Sequence, residues 1–211
     1  MTQLQSVRVI LFGIGGVGSW CAEALIRTGL THLTIVDDDV VQPSNLNRQL
    51  PATQATIGRP KVEALRERLL SINPDAEIIA IPERYTAETS FNFQLSTFNY
   101  IIDAIDSVND KTDLIIRASR VRGCKVFSSM GAALRFDPTQ VRVAELFDVK
   151  GDVLAKAVRA RMKKLDLRPY KKIRCVYSLE QAQRCETRGS LMQVTAVFGC
   201  TLASLIIRDL L

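Results

Sequence analysis

Gly13-Ile14-Gly15-Gly16-Val17-Gly18-Ser19 is a glycine-rich run. An apolar, β-branched stretch precedes it (Val7 to Phe12), and a helix-compatible pattern follows it (Ser19 to Arg27, with Trp20, Leu25 and Ile26). A strand, a tight turn and a helix start in that order make an anion site. Glycines let the backbone turn and approach a phosphate with no Cβ in the way, and the first helical N–H groups are free to donate to it. About 20 residues on, Leu33 to Val36 ends in Asp37, Asp38 and Asp39, where a carboxylate can accept hydrogen bonds from ribose hydroxyls. Asp37 is the candidate ribose acceptor, and Gly13, Gly15, Gly16 and Gly18 are the candidate phosphate cradle. The run implies a nucleotide without saying which, since strand-to-helix turns also use glycine for packing alone.

These residues must be held by a framework, and the hydrophobic pattern supplies one. Apolar segments at Val7–Phe12, Leu33–Val36, Ile78–Ile81, Tyr100–Ile105 and Lys125–Ser128 alternate with helical patterns. That order predicts a Rossmann-like, doubly wound, mostly parallel α/β sheet. Lys61 to Ile72 sets Val62, Leu65, Leu69 and Ile72 on one face and stops at Asn73-Pro74, an amphipathic covering helix. Asp110 to Arg120 supplies another, with Leu114, Ile115 and Ala118 as its apolar side. After Gly131 the pattern changes. Ala132–Phe136, a turn at Asp137-Pro138-Thr139, and Gln140–Leu146 read as a hairpin; then come a helix over Gly151–Lys164, a strand at Arg174–Tyr177 and a polar loop over Leu179–Ser190. Residues 1–131 are expected to form the nucleotide-binding part, and 132–211 a substrate-facing extension and C-terminal helix of the same domain.

The 211 residues, 47% of them hydrophobic, suffice for one α/β core and not for two large ones. Leu191–Leu211 is apolar nearly all round, but Gln193, Thr195, Thr201, Ser204, Arg208 and Asp209 interrupt it, so a core or dimer helix is expected rather than a membrane span. Met1 to Ser6 carries no secretory pattern, and a cytoplasmic location is expected. The cysteines, Cys21, Cys124, Cys175, Cys185 and Cys200, show no paired Cys-x-x-Cys spacing; structural zinc is not expected. The net charge of +6 is unevenly placed. Lys150, Lys156, Arg159, Arg161, Lys163, Lys164, Arg168, Lys171, Lys172 and Arg174 face only Asp152 and Asp166. Such a block suits either a polyanion partner or a solvated helix face.

The most specific segment is Ser44-Asn45-Leu46-Asn47-Arg48-Gln49, followed by Gly58-Arg59-Pro60-Lys61. With the glycine run, Asp37-x-Asp39 and Asp103-Ala104-Ile105-Asp106-Ser107, it resembles the ubiquitin-activating-type adenylating superfamily, which includes the bacterial thiamine and molybdopterin adenylyltransferases. The resemblance covers Val7 to about Gly131 with the spacings intact. It implies ATP and Mg²⁺. Arg48 and Lys61 match the phosphate-clamping positions, Asn45 and Gln49 the polar triphosphate contacts, Asp106 the Mg²⁺-associated carboxylate, and Asp37 the ribose position already read from its place after the strand. A carboxylate attacking the α-phosphorus of ATP approaches a polyanion, so such cations have an evident use. The rival with the same turn is a nicotinamide-dependent oxidoreductase. Its proton donor is not visible: the one histidine, His32, precedes the second strand, at the edge opposite the ligand-binding ends.

Within the superfamily the chain is most similar to the tRNA threonylcarbamoyladenosine dehydratases. The phrases are Trp20 after the glycine run, Tyr100–Val108, Asp137-Pro138-Thr139-Gln140-Val141 and Val194–Gly199. That likeness implies ATP-dependent adenylylation of the threonyl carboxylate of a modified adenosine, ring closure with loss of AMP, a tRNA partner, a homodimer and, as in some relatives, a sulfur-relay protein. The alternative is activation of the C-terminal carboxylate of a ubiquitin-like sulfur carrier. Relatives of that kind commonly carry two Cys-x-x-Cys pairs and a loop cysteine, for which Cys185, between Arg184 and Arg188, is the candidate here. The family also has a helix before the first strand whose arginine reaches the partner's ATP site. Six residues precede Val7, so either the chain is a shortened member, or that arginine comes from elsewhere, with Arg8 as a candidate, or it is absent.

Overall fold

The computed structural model describes residues 2–183 and 189–211. Strands β1 (Arg8–Phe12), β2 (His32–Val36), β3 (Glu77–Ile81), β4 (Tyr100–Asp103), β5 (Lys125–Ser129), β6 (Val141–Glu145) and β7 (Arg174–Ser178) form one sheet in the order β3-β2-β1-β4-β5-β7-β6. All pairings are parallel except β6 with β7. The α/β expectation is met. β1 and β4 sit centrally and are buried along nearly their whole length, which is why they read as continuous apolar runs rather than alternating ones.

Helices cover both faces. One core packs α2 (Gly18–Arg27), α3 (Lys61–Ile72) and α6 (Met192–Leu210) on the sheet through Leu25, Leu65, Phe198 and Leu202; the other uses α4 (Val108–Arg120) and α5 (Val153–Lys164) through Leu114, Ile115, Val158 and Met162. A four-residue helix, α1 (Thr2–Gln5), precedes β1. α6 has the length and composition of a membrane span, yet Val194, Phe198, Leu202, Leu205 and Ile206 are fully buried inside this domain. Its end is fastened to the sheet, where Asp209 accepts from Tyr100 Oη at 2.7 Å and pairs with Lys125 Nζ at 2.6 Å. Burial pushes the thiols of Cys21, Cys124 and Cys175 up, that of Cys124 to about 11, so these are protonated packing residues at neutral pH. Cys185 lies outside the described residues.

The hairpin expectation is corrected. Residues 132–136 form no strand, and β6 pairs instead with β7, matching Val141 to Ser178 and Glu145 to Arg174. Two features break the first half. Leu134 has φ 60°, with its carbonyl accepting from Gln183 N–H and its own N–H donating to Gly189. Arg135 turns inward to a buried pair with Asp152, Nη2 to Oδ2 at 2.8 Å.

Candidate active site

The chain order reverses between β1 and β4, and the carboxyl ends of strands at such a switch point open a crevice. A cleft of about 470 Å³ lies there. Its floor is the glycine turn. Gly13 has φ +80°, and a Cβ on it would stand 2.8 Å from the Ala104 carbonyl, so the turn runs hard against the loop after β4. Gly15, Gly16 and Val17 face the cleft ahead of α2, and the carbonyls of Gly15 and Val17 accept from the N–H groups of Ser19 and Cys21 at 3.1 Å each. Gly18 does not line the cleft; it is buried at the helix start.

Asp37, at the end of β2, braces this turn. Oδ2 accepts from Ile14 N–H at 2.8 Å and Oδ1 from Asp39 N–H at 2.9 Å. Burial lifts its carboxyl above the usual range, against the pull of Lys61 and of those two donors. Each oxygen keeps a lone pair for a further donor such as a ribose hydroxyl.

The cations come from the next crossover. Lys61, the first residue of α3, is 5% exposed and reaches Asp39 Oδ2 at 2.6 Å. A lysine this buried needs an anion, and Asp39 supplies one. Arg48 follows a short 3-10 turn capped by Asn45, whose Oδ1 accepts from Gln42 N–H at 3.0 Å. Its Nη1 donates to the Ser44 carbonyl at 2.8 Å and to Asn47 Oδ1 at 2.9 Å, while its own carbonyl accepts from Trp20 Nε1 at 3.0 Å. Gln49 is buried against the cleft, and its Oε1 has no partner among the described residues. An orphaned buried carbonyl is costly, and Gln49 is among the residues that line the cleft. Asp106 projects from the loop after β4, exposed at the cleft.

The structure thus gathers Gly13, Gly15, Gly16, Asp37, Asp39, Asn45, Arg48, Gln49, Lys61 and Asp106 around one cleft. Its far wall was not read from the sequence: Ser129, Gly131, Ala132, Ala133 and Thr195 leave that half small and uncharged. Gly131 N–H donates to the same Asp152 carboxylate that holds Arg135, so the buried pair fixes this wall. Arg84 stands at the rim and pairs with Asp110 at 3.0 Å. At the opposite edge of the sheet the His32 ring bonds to Glu77 and to no other side chain among the described residues, consistent with a surface role. Arg8 opens β1 at that same edge, about 16 Å of strand from its own chain's cleft, so within one chain it does not serve the site.

Comparison with known proteins agrees with this geometry. The model of the ThiF family matches residues 1–211. The tRNA threonylcarbamoyladenosine dehydratase of Haemophilus influenzae is 34% identical over the whole chain, which covers 88% of that protein. The Bacillus subtilis protein of the same name is 40% identical over 76% of the chain, a match spanning 63% of its length. The E. coli tRNA N6-threonylcarbamoyladenosine dehydratase solved with ATP superposes with a TM-score of 0.92 at 33% identity, covering 99% of this chain and 87% of that one. With the glycine turn, the cations and the exposed carboxylate in one cleft at the switch point, the chain belongs to the ThiF family.

Proposed function

We propose that the cleft binds ATP with Mg²⁺ and adenylylates the threonyl carboxylate of threonylcarbamoyladenosine in tRNA, after which the adduct cyclises. The observation that carries this reading is the convergence of Arg48, the buried Lys61 and Asp106 on the glycine turn that opens α2. Arg48 and Lys61 hold the phosphates as a carboxylate oxygen attacks the α-phosphorus and pyrophosphate leaves. For that contact Lys61 exchanges Asp39 for phosphate. Asp106 would hold Mg²⁺, a hard cation suited to carboxylate oxygen, which neutralises charge on the phosphates. Gln49 offers its free carbonyl, and Asp37 takes the ribose.

The small neutral wall at Gly131–Ala133 leaves room for the threonyl arm. Once the carboxylate carries AMP, the carbamoyl group of the same substrate attacks the acyl carbon. One bond to carbon forms, the acyl–phosphate oxygen bond breaks, a carbamoyl proton is released and AMP departs. The attack is intramolecular and gains from high effective molarity, so a protein nucleophile is not required. Substrate-dependent exchange between ATP and pyrophosphate tests the reading. Exchange stimulated by threonylcarbamoylated tRNA supports it; exchange stimulated only by a Gly-Gly-ended carrier protein replaces it with sulfur-carrier activation.

For the tRNA, α5 offers a track. Its start lies beside the cleft through Leu154, and its 12 residues run about 18 Å away. Lys156, Lys163 and Lys164 are exposed and share one face. Other members of the basic block have structural duties: Lys171 Nζ donates to the carbonyls of Val121 and Cys124, and Arg159 to those of Leu146 and Val149. Changing Lys156, Lys163 and Lys164 to Glu is expected to weaken tRNA binding and lower its salt slope by about 3, about one per lost phosphate contact, with ATP binding unchanged. Filter binding across a salt series checks this, and an unaltered slope removes the track. We infer a homodimer through the outer face of α6, an inference supported by the half-buried Val197 and Ile207 and the exposed Cys200 there, and a cytoplasmic location in keeping with a tRNA substrate.

A further inference from the structure

Lys111 has no exposed surface, and neither has its partner Asp103. Burying both charges is unfavourable unless hydrogen bonds repay the desolvation, and here the bonding is extensive. Lys111 Nζ donates to Asp103 Oδ2 at 2.6 Å, to Ser128 Oγ at 3.2 Å and to the Ser129 carbonyl at 2.9 Å. Ser128 Oγ donates in turn to Asp103 Oδ2 at 2.6 Å. The other carboxylate oxygen, Oδ1, accepts from Ile105 N–H at 3.0 Å.

Three segments bordering the cleft are therefore tied to one ion pair. They are the loop 104–107 that carries Asp106, the N-terminal part of α4, and the end of β5 that leads into the wall at Ser129–Gly131. An apolar pair of similar volume is commonly as stable as a buried salt bridge or more so, so stability alone does not account for these charges. A register-fixing role does. Lys111 touches no cleft surface, and every partner it has leads to a segment that does.

We propose that Lys111, acting through Asp103, is a positioning residue for the adenylation step, setting the separation between the Asp106 loop and the Ser129–Gly131 wall. The proposal rests on the cleft being an adenylation site and adds to it a residue that meets no substrate.

The double variant Lys111→Met/Asp103→Asn removes both charges together and leaves neither stranded. We expect it to melt close to the wild type and keep its KM for ATP within about twofold. Its kcat for AMP formation is expected to be about 10- to 100-fold lower, the scale on which small misplacements act. Amide exchange over residues 104–107 is expected to be at least about tenfold faster. A double variant that turns over at the wild-type rate, or whose loop exchanges at the wild-type rate, overturns the proposal. Should it fail to fold, Ser128→Ala decides, because it removes the bond to Asp103 and the bond from Lys111 without removing a charge. A kcat at least about threefold lower with unchanged melting supports the proposal, and a kcat at the wild-type value overturns it. A wild-type protein inert toward every carboxylate substrate would count against the adenylation reading itself, whereas the exchange measurement, which needs no substrate, still decides the role of Lys111.

Discussion

Alanine at Arg48 or at Asp106 is expected to lower kcat/KM for AMP formation by at least about a thousandfold, about 4 kcal/mol of transition-state stabilisation, with melting within a few degrees of the wild type. Both halves of the expectation follow from where the side chains sit. Arg48 contributes to the fold mainly through its backbone, since the bond from Trp20 ends on its carbonyl and survives truncation. Its guanidinium bonds, to the Ser44 carbonyl and Asn47 Oδ1, lie at an exposed position, and exchanging such bonds for water costs about 0.5–1.5 kcal/mol each at most. Asp106 is exposed on its loop and buries nothing when shortened. What both lose is charge facing the cleft. Arg48→Lys refines the test, because lysine restores the charge without the planar fork that matches two phosphate oxygens; a partial recovery is expected. Wild-type turnover in both alanine variants would remove this cleft as the active site.

The framework was legible because its signals are local. α3 runs over Lys61–Ile72 as its apolar spacing and the Asn73-Pro74 stop imply. The five strands of the first half fall where the apolar runs do, within one or two residues at each end. The strand pairing after Gly131 was not legible, because its determinants are distant in sequence. β6 finds its partner in β7, some 30 residues on, and the segment that imitated the other half of a hairpin is bent by Leu134 and anchored by the Arg135–Asp152 pair. Alternating hydrophobicity reports that a residue has two different sides and does not report which strand lies beside it.

The site divides along the same line. Arg48, Lys61 and Asp106 were placed by their motifs, while Asp103 stood inside a quoted motif with its buried role unseen. Lys111 carried a usable signal. It lies on the same helical face as Leu114, Ile115 and Ala118, all buried, and a lysine on an apolar stripe must find an anion. The small wall at Gly131–Ala133 carried none, because short neutral residues do chemistry only through the space they leave.

Gly18→Ala is expected to damage the fold more than any change at the cleft surface, with a melting temperature lower by about 10 °C and ATP binding lost together. The sequence suggests that this glycine, like its neighbours, makes way for phosphate. The geometry gives it another reason. A Cβ at Gly18 would lie 1.9 Å from the Gly13 carbonyl oxygen and 3.1 Å from Leu11 Cδ2, whereas one at Gly15 would meet nothing closer than Gln49 Nε2 at 3.7 Å. The obstacle at position 18 is main chain and cannot rotate away, so α2 must move off β1 or the turn must open. Either shift moves the helix start that faces the phosphates, so stability and ligand binding fall by one cause. Gly15→Ala is the matched control. It is expected to fold and melt normally and to lose ATP affinity only, because its new methyl group projects into the cleft. Equal melting temperatures for the two variants, measured by calorimetry without ligand, would contradict this division of the glycines into one that closes the turn and others that face the nucleotide.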